Sequence, residues 1–239
     1  MTDIIKFDKV SKIFEGKKVI DSLDLTIEKG EFFVIVGPSG SGKTSTLKMI
    51  NALVAPDEGD VYFENKRIID YDLKKLRLKV GYVLQQIALF PNLNIQQNIE
   101  LIPEILGWSK DKRQARSLEL LEKVKLDATY LKRLPSELSG GEQQRVGILR
   151  AIAADPDVII MDEPFSALDP ISRNNLQELV LDIHENLGTT IVFVTHDMKE
   201  AQRLGDRIAV MQEGKLLQCA SPDEIREHPA NDFVKSFFE

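Results

Sequence analysis

The sequence predicts an α/β fold built on a mostly parallel central sheet, and three observations carry that prediction. Apolar runs at 32–36 (Phe-Phe-Val-Ile-Val), 158–161 (Val-Ile-Ile-Met) and 190–195 (Thr-Ile-Val-Phe-Val-Thr) have the composition of strands buried on both faces. Helical stretches alternate with them through short loops. The first run leads through Gly37, Pro38, Ser39, Gly40, Ser41, Gly42, Lys43 and Thr44 into a helix whose Leu47, Ile50 and Leu53 share one side. Those eight residues fit G-x-x-x-x-G-K-[ST], a phosphate-binding loop set between a strand and a helix N-terminus. The three glycines let the backbone approach an anion, and successive N–H groups with the helix dipole supply partial positive charge. Lys43 can reach the β- and γ-phosphates, the Thr44 hydroxyl can ligate Mg²⁺, and Ser45 belongs to the same first turn. The loop therefore predicts binding of a nucleoside triphosphate.

The elements follow in chain order. Residues 4–8 and 18–27 read as strands, and Asp24-Leu25-Thr26-Ile27 alternates cleanly before a turn at Lys29-Gly30-Glu31. Phe14 stands between them on a loop with Glu15 and Gly16, either as a stacking shelf for a purine or as a core plug. Asp57-Glu58-Gly59-Asp60 is a turn, and 61–63 with 67–69 form a hairpin. Gly81-Tyr82-Val83-Leu84 is an apolar strand ending on Gln85 and Gln86. The apolar loop at 88–93, Ala-Leu-Phe-Pro-Asn-Leu, is either a docking site for another chain or packing beneath the next helix. From 94 to 154 the spacing is helical: Ile95, Ile99, Ile102 and Ile105, with Pro103 expected to kink or split the helix; then Leu118 to Leu126; then a helix from about Gly141 carrying Val146, Leu149 and Ile152. Strands resume at 158, a helix starts at Pro170, and 208–211 with 215–220 form a hairpin. The chain reads as one domain, 1–239, with a helical subdomain inserted at about 87–154.

Two further stretches carry chemistry. The strand at 158–161 runs into Asp162 and Glu163. A carboxylate at that edge can hold Mg²⁺ opposite Thr44, through water, and the adjacent Glu163 can orient or deprotonate an attacking water. His196 ends another buried strand, where an imidazole could touch the γ-phosphate. Leu138-Ser139-Gly140-Gly141-Glu142 opens a helix and makes a second anion site from free N–H groups, a hydroxyl and the dipole. It lies far along the chain from the first site. One nucleotide does not need two helix N-termini from one compact chain, but a head-to-tail dimer would use both.

Composition narrows the class. A length of 239 residues with 43% apolar content suffices for one large domain and its core. Net charge is −7 with both signs mixed along the chain, which argues against a nucleic-acid binder. The single Cys219 excludes an internal disulfide and is read as a small residue in a late strand. The start lacks a basic-then-apolar signal, and no apolar stretch approaches the ~18 residues of a membrane span. A soluble, cytoplasmic chain is expected, reaching a membrane only through a partner.

Taken in order, these residues resemble the ATP-binding subunit of an ABC transporter over nearly the whole chain. Lys43 and Thr44 match the P-loop, Gln85 the Q-loop, and 138–142 the LSGGQ signature, with Glu142 where Gln is commonest. Asp162 and Glu163 match Walker B; Ser166, Ala167, Leu168 and Asp169 match the D-loop, and His196 the switch histidine. Phe14 falls where the family places an adenine-stacking aromatic. The resemblance implies a P-loop NTPase core of RecA type, with a mostly parallel sheet, an N-terminal antiparallel β piece and an inserted helical subdomain. It implies ATP and Mg²⁺ as cofactors, the metal held by Thr44, Gln85 and Asp162. It also implies catalysis by Glu163, His196, Lys43 and Gln85, and a homodimer formed on ATP binding, in which Ser139, Gly140, Gly141 and Asp169 contribute to the nucleotide site. Integral-membrane permease subunits and, through them, an extracytoplasmic substrate-binding protein or domain are the implied partners, with no nucleic acid. The cassette would sit peripherally on the cytoplasmic side of the membrane, with 88–93 receiving the permease.

Within the family the chain is importer-like at 88–93. It looks most like the ATPases for quaternary-ammonium osmoprotectants (glycine betaine, carnitine, choline) at 98–108, 134–137 and 196–201. Amino-acid and polyamine importers share most of these residues. A soluble ABC ATPase is the rival class, but neither the long coiled coils of DNA-repair relatives nor the second cassette of translation-linked ones is present. A P-loop kinase would leave 138–143 and Asp169 unexplained. As read, the chain closes at Phe237-Phe238-Glu239, without room for the CBS pair some osmoprotectant ATPases carry, so regulation through such a module is not expected.

Overall fold

The computed structural model describes residues 2–86, 88–166 and 168–238. Ala167 of the D-loop match, and residue 87 at the start of the helical segment, lie outside the described residues.

The first two strands are longer than expected. β1 (Asp3–Phe14) and β2 (Lys17–Glu28) close on a two-residue turn at Glu15 and Gly16, with φ of 49° and 78°. Positive φ at both positions matches the twist of paired strands, so the ladder runs to the turn. Phe14 therefore ends a strand rather than sitting on a loop. β1 also pairs antiparallel with β4 (Glu58–Phe63), which pairs with β5 (Lys66–Arg67), and β3 (Phe32–Val36) belongs to the second sheet. The expected strand at 67–69 keeps only Arg67; Ile68–Asp70 form a 3₁₀ turn that buries Ile68.

The second sheet adds β6 (Val80–Val83), β7 (Val158–Asp162), β8 (Thr190–Thr195), β9 (Arg207–Gln212) and β10 (Lys215–Ala220). Its order is β10-β9-β3-β8-β7-β6, and only β10 runs antiparallel to its neighbour. All five residues of β3 are buried, as a strand covered on both faces requires. Alternation splits the core in two. Phe32, Val34 and Val36 join the cluster containing Val146, Leu149 and Val180, while Phe33 and Ile35 join Leu47, Ile50 and the apolar face of the antiparallel sheet. Each such side chain contributes about 1.5–3 kcal/mol on burial, so the middle strands contribute strongly to the stability of the fold.

Nine helices occur among the described residues. α1 (Lys43–Ile50) starts at the phosphate loop and stops three residues before the expected Leu53; α2 (Leu73–Leu78) is a short helix not legible in the pattern. α3 (Ile95–Ile105), α4 (Lys110–Lys123) and α5 (Gly140–Ile152) lie between β6 and β7. Pro103 does not split α3. It sits in the last turn, and bonds from the N–H groups of Leu106, Gly107 and Trp108 to Ile102, Glu104 and Pro103 close the end around the lost donor. α6 (Pro170–Leu187) opens on Pro170 with Asp169 as its cap. α7 (Met198–Leu204), α8 (Pro222–Glu227) and α9 (Asp232–Phe238) complete the chain as described.

Candidate active site

Topology assembles the site. β3, β8 and β7 are adjacent and parallel, with Val36 opposite Thr195 and Asp162 opposite Val194. Their C-terminal ends therefore deliver the phosphate loop, His196 and the Asp162-Glu163 pair to one edge, where ligands of open parallel sheets bind.

The loop folds tightly because two glycines admit neighbouring backbone. A Cβ on Gly37 would lie 2.1 Å from the Met211 carbonyl oxygen, and one on Gly42 would lie 2.6 Å from that of Val19. The first intrahelical bond of α1 runs from Thr46 N–H to Gly42 O, so the N–H groups of Lys43, Thr44 and Ser45 precede it and have no intrahelical acceptor. Inside the loop Ser41 Oγ is buried with no protein partner, and the Lys43 ammonium donates to the Gly37 and Pro38 carbonyls at 2.7 and 3.0 Å. Burial lowers the Lys43 pKa, against the pull of Glu163 and Asp162. A buried cation held only by carbonyls, an orphan hydroxyl and a turn of free N–H groups fit a polyphosphate.

Asp162 and Glu163 are sequence neighbours with different surroundings. Asp162 remains in β7, buried, and accepts from the Thr44 hydroxyl at 3.0 Å. Burial raises its pKa, and the Thr44 bond partly opposes this. Glu163 leaves the strand with φ at +45°, a strained conformation costing on the order of 1 kcal/mol for a side-chain-bearing residue. Its N–H bonds Val194 O at 2.9 Å, and its carboxylate accepts from His196 Nδ1 at 2.9 Å. Gln85 Nε2 reaches Ser166 Oγ at 3.5 Å, the limit of a hydrogen bond, and Ser166 in turn donates to the Glu163 carbonyl. Thr44 and Asp162 supply oxygen donors of the kind Mg²⁺ takes.

The signature stretch stands apart and shares no hydrogen bond with these groups among the described residues. Ser139 caps α5 in a reciprocal box with Glu142. The Glu142 carboxylate accepts from Ser139 N at 2.8 Å, from Ser139 Oγ at 2.7 Å and from the Tyr130 hydroxyl at 2.7 Å, and these bonds hold its pKa down at about 2. Gly140 and Gly141 open α5, and a Cβ on Gly141 would only touch Ser172 of α6. Asp169 caps α6 through the N–H groups of Ile171 and Ser172. Phe14 is 45% exposed, with Lys12 Nζ 5.1 Å from its ring centre, so it is not a core plug.

Some structural contributors were not legible. Gln144 Nε2, buried in α5, donates to Pro164 O at 2.8 Å and ties the signature helix to the turn after Glu163. Glu200, also buried, accepts from Thr195 Oγ1 at 2.6 Å beneath His196. Each is a polar residue on an apolar face, a weak signal without the fold. The loop at 88–93 divides. Leu89 is 8% exposed and joins the core, whereas Phe90 is 44% exposed over a groove of about 410 Å³ lined also by Leu53, Leu84, Ile102 and Arg150. Buried Asn98 pins the loop by accepting from Phe90 N and donating to the carbonyls of Phe90, Leu93 and Asn94.

Comparison with known proteins bears on the whole arrangement. The chain is 52% identical over 235 residues, 98% of its length, to the glycine betaine/carnitine/choline transport ATP-binding protein OpuCA of Bacillus subtilis (strain 168). It is 49% identical over 240 residues, again covering 98% of the chain, to the osmoprotectant import ATP-binding protein OsmV of Salmonella typhimurium. The chain spans 62% and 63% of the length of these two relatives. The dimeric post-hydrolysis structure of the ATP-binding cassette MJ0796, bound to ADP and Pi, superposes with a TM-score of 0.81 at 37% identity, covering 91% of this chain and 98% of that one. No helix among the described residues is long and apolar enough to cross a membrane. The profile of the ABC transporter family matches residues 20–166, and with the cassette geometry above, the chain belongs to that family.

Proposed function

We propose that this chain is the ATP-hydrolysing subunit of a membrane importer for a quaternary-ammonium osmoprotectant such as glycine betaine, carnitine or choline. The observation that carries the ATPase reading is the meeting of Lys43, Asp162, Glu163 and His196 at three adjacent strand ends. The solute is inferred from the relatives named above, because a cassette does not touch the transported molecule.

The roles follow from the surroundings. The loop from Gly37 to Ser45 binds the phosphates by N–H groups, with the Lys43 ammonium moving from its carbonyl acceptors to phosphate oxygens. Thr44 and Asp162, with Gln85, would hold Mg²⁺, which would supply neutralisation of phosphate charge when bound. Glu163 accepts the proton of the attacking water, and His196, bonded to it, orients the carboxylate and stabilises transition-state charge. Phe14 stacks on the adenine. Two copies meet head to tail, so that Ser139, Gly140, Gly141 and Asp169 of one face the nucleotide of the other. Residues 88–154, the described part of the expected inserted segment, form a helical subdomain of a single cassette. The groove beside Phe90 receives a permease on the cytoplasmic side of the membrane, and an extracytoplasmic binding protein or domain serves that permease.

Purification from gently solubilised membranes tests this. A multi-span permease should co-purify, and its binding protein or domain should bind betaine, carnitine or choline. Binding only of amino acids or polyamines would move the solute assignment, while recovery of soluble partners or nucleic acid alone would sink the transport reading.

A further inference from the structure

The signature helix carries an acidic residue where the proposed dimer brings a phosphate. Glu142 lies in the first turn of α5, three residues from Ser139. An unrestrained carboxylate there would oppose the γ-phosphate of the partner's nucleotide. One side chain restrains that carboxylate. The Tyr130 hydroxyl, on the 3₁₀ turn Ala128–Lys132, donates to Glu142 Oε1 at 2.7 Å, while Oε2 takes the Ser139 bonds. The tyrosine is itself held. The Arg133 guanidinium carbon lies 3.9 Å from its ring centre, and the Arg133 carbonyl accepts from Ile95 N at 2.9 Å at the start of α3.

We infer that Tyr130 is a positioning residue for the signature serine, acting by fixing the Glu142 carboxylate that holds the Ser139 N–H and hydroxyl. This rests on the head-to-tail reading of the nucleotide site. Hydrogen bonds to a carboxylate lower its basicity, and the bond from Tyr130 contributes most to the lowering at Glu142. A weakly basic acceptor gives up the Ser139 hydroxyl more readily when a phosphate oxygen competes for it. The Tyr130 bond also restrains the side-chain angles of Glu142. An amide at position 142 carries no charge and needs no such restraint, which makes the two residues a coupled pair.

The test is a double-mutant cycle on the full-length cassette with Tyr130→Phe, Glu142→Gln and the double variant. Three quantities are read for each: the ATP concentration that half-saturates hydrolysis, the ATP concentration that half-saturates dimerisation in the E163Q background, and the affinity of the monomer for ADP. Y130F should raise the first two about tenfold, the scale of one lost charge-assisted hydrogen bond, and leave ADP affinity within twofold. In the E142Q background the same substitution should change nothing by more than about twofold, since the charge to be restrained is gone. A purely structural role would give equal losses in both backgrounds, together with a lower melting temperature, and would overturn the inference. So would a Y130F cassette with unchanged half-saturation. If E163Q does not dimerise with ATP at all, the head-to-tail reading itself fails and this inference falls with it. If E163Q dimerises normally and Tyr130 has no effect, only the inference fails.

Discussion

The two helix starts proposed to bind phosphate, those of α1 and α5, solve the same problem in opposite ways. The start of α1 is buried in the α/β core, and it carries its charges at a cost: burial pushes Lys43 down and Asp162 up, and Glu163 holds a strained backbone. The start of α5 is satisfied by its own neighbours, and Glu142 is held down at about 2 by three hydrogen bonds. A site that must change charge during a reaction is better built where the surroundings are stiff and poorly solvated, because electrostatic effects are larger there. A site that must meet and release a second molecule is better built where its groups are satisfied in both states. The contrast fits the proposed division, with chemistry at the first helix start and association at the second.

Several substitutions would break or sharpen that contrast. The largest effect is expected at Glu163. E163Q should lower ATP turnover about 10²–10⁴-fold, as loss of a general base does, while the protein accumulates as an ATP-bound dimer on size-exclusion chromatography. Normal turnover would remove Glu163 from the chemistry. Lys43→Met should lower turnover about 10²–10³-fold, the scale of one lost preorganised charge donor, with phosphate-dependent nucleotide binding lost in parallel in a calorimetric titration.

At the second helix start, Ser139→Ala should act mainly on association. We expect about a tenfold rise in half-saturating ATP, near-normal ADP binding by the monomer, and recovery in S139T, which keeps the hydroxyl; the lost cap costs about 1 kcal/mol of helix stability. A uniform loss of ADP binding would mean that the two helix starts are not separate in function.

The smallest effects are on stability, and they should have opposite signs. Asp162 has a folded pKa above its unfolded value, so its ionisation at neutral pH disfavours the fold. D162N keeps an acceptor for Thr44 and should melt about 2 °C higher at pH 7, the gain shrinking as pH falls through the raised pKa toward 3.8. Glu142 has a folded pKa below its unfolded 4.5, so it contributes stability above that pH, lost as pH falls toward 2. E142Q should therefore melt slightly lower at pH 7, with the difference closing in acid. Equal signs in thermal melts across pH would show that burial and hydrogen bonding do not distinguish the two sites.

Much of this was legible in the sequence for local reasons. Strands buried on both faces need continuous apolar runs, and 32–36, 158–161 and 190–195 have them. A loop that wraps a phosphate needs glycines where backbone crowds, so Gly37 and Gly42 mark it. The helix starts at Ser139 and Pro170 follow from capping chemistry. Errors came where distant contacts outweigh local pattern. β1 extends to Phe14 because its partner strand is there, α3 passes through Pro103 because the following turn closes the end, and α2 is short enough to depend on its packing.

By itself, then, the sequence determined which residues are candidates to bind phosphate and which strands are buried, because both are encoded in side-chain type over a few neighbouring positions. Only the tertiary structure decided which of them meet. The order β3-β8-β7 sets His196 between the phosphate loop and Glu163, although 33 residues separate that histidine from the glutamate it bonds. Folding also joins Tyr130 to Glu142, and Gln144 to the turn behind Glu163. Such pairings depend on strand order and helix packing, which arise from the sum of core contacts and leave no local mark on the chain.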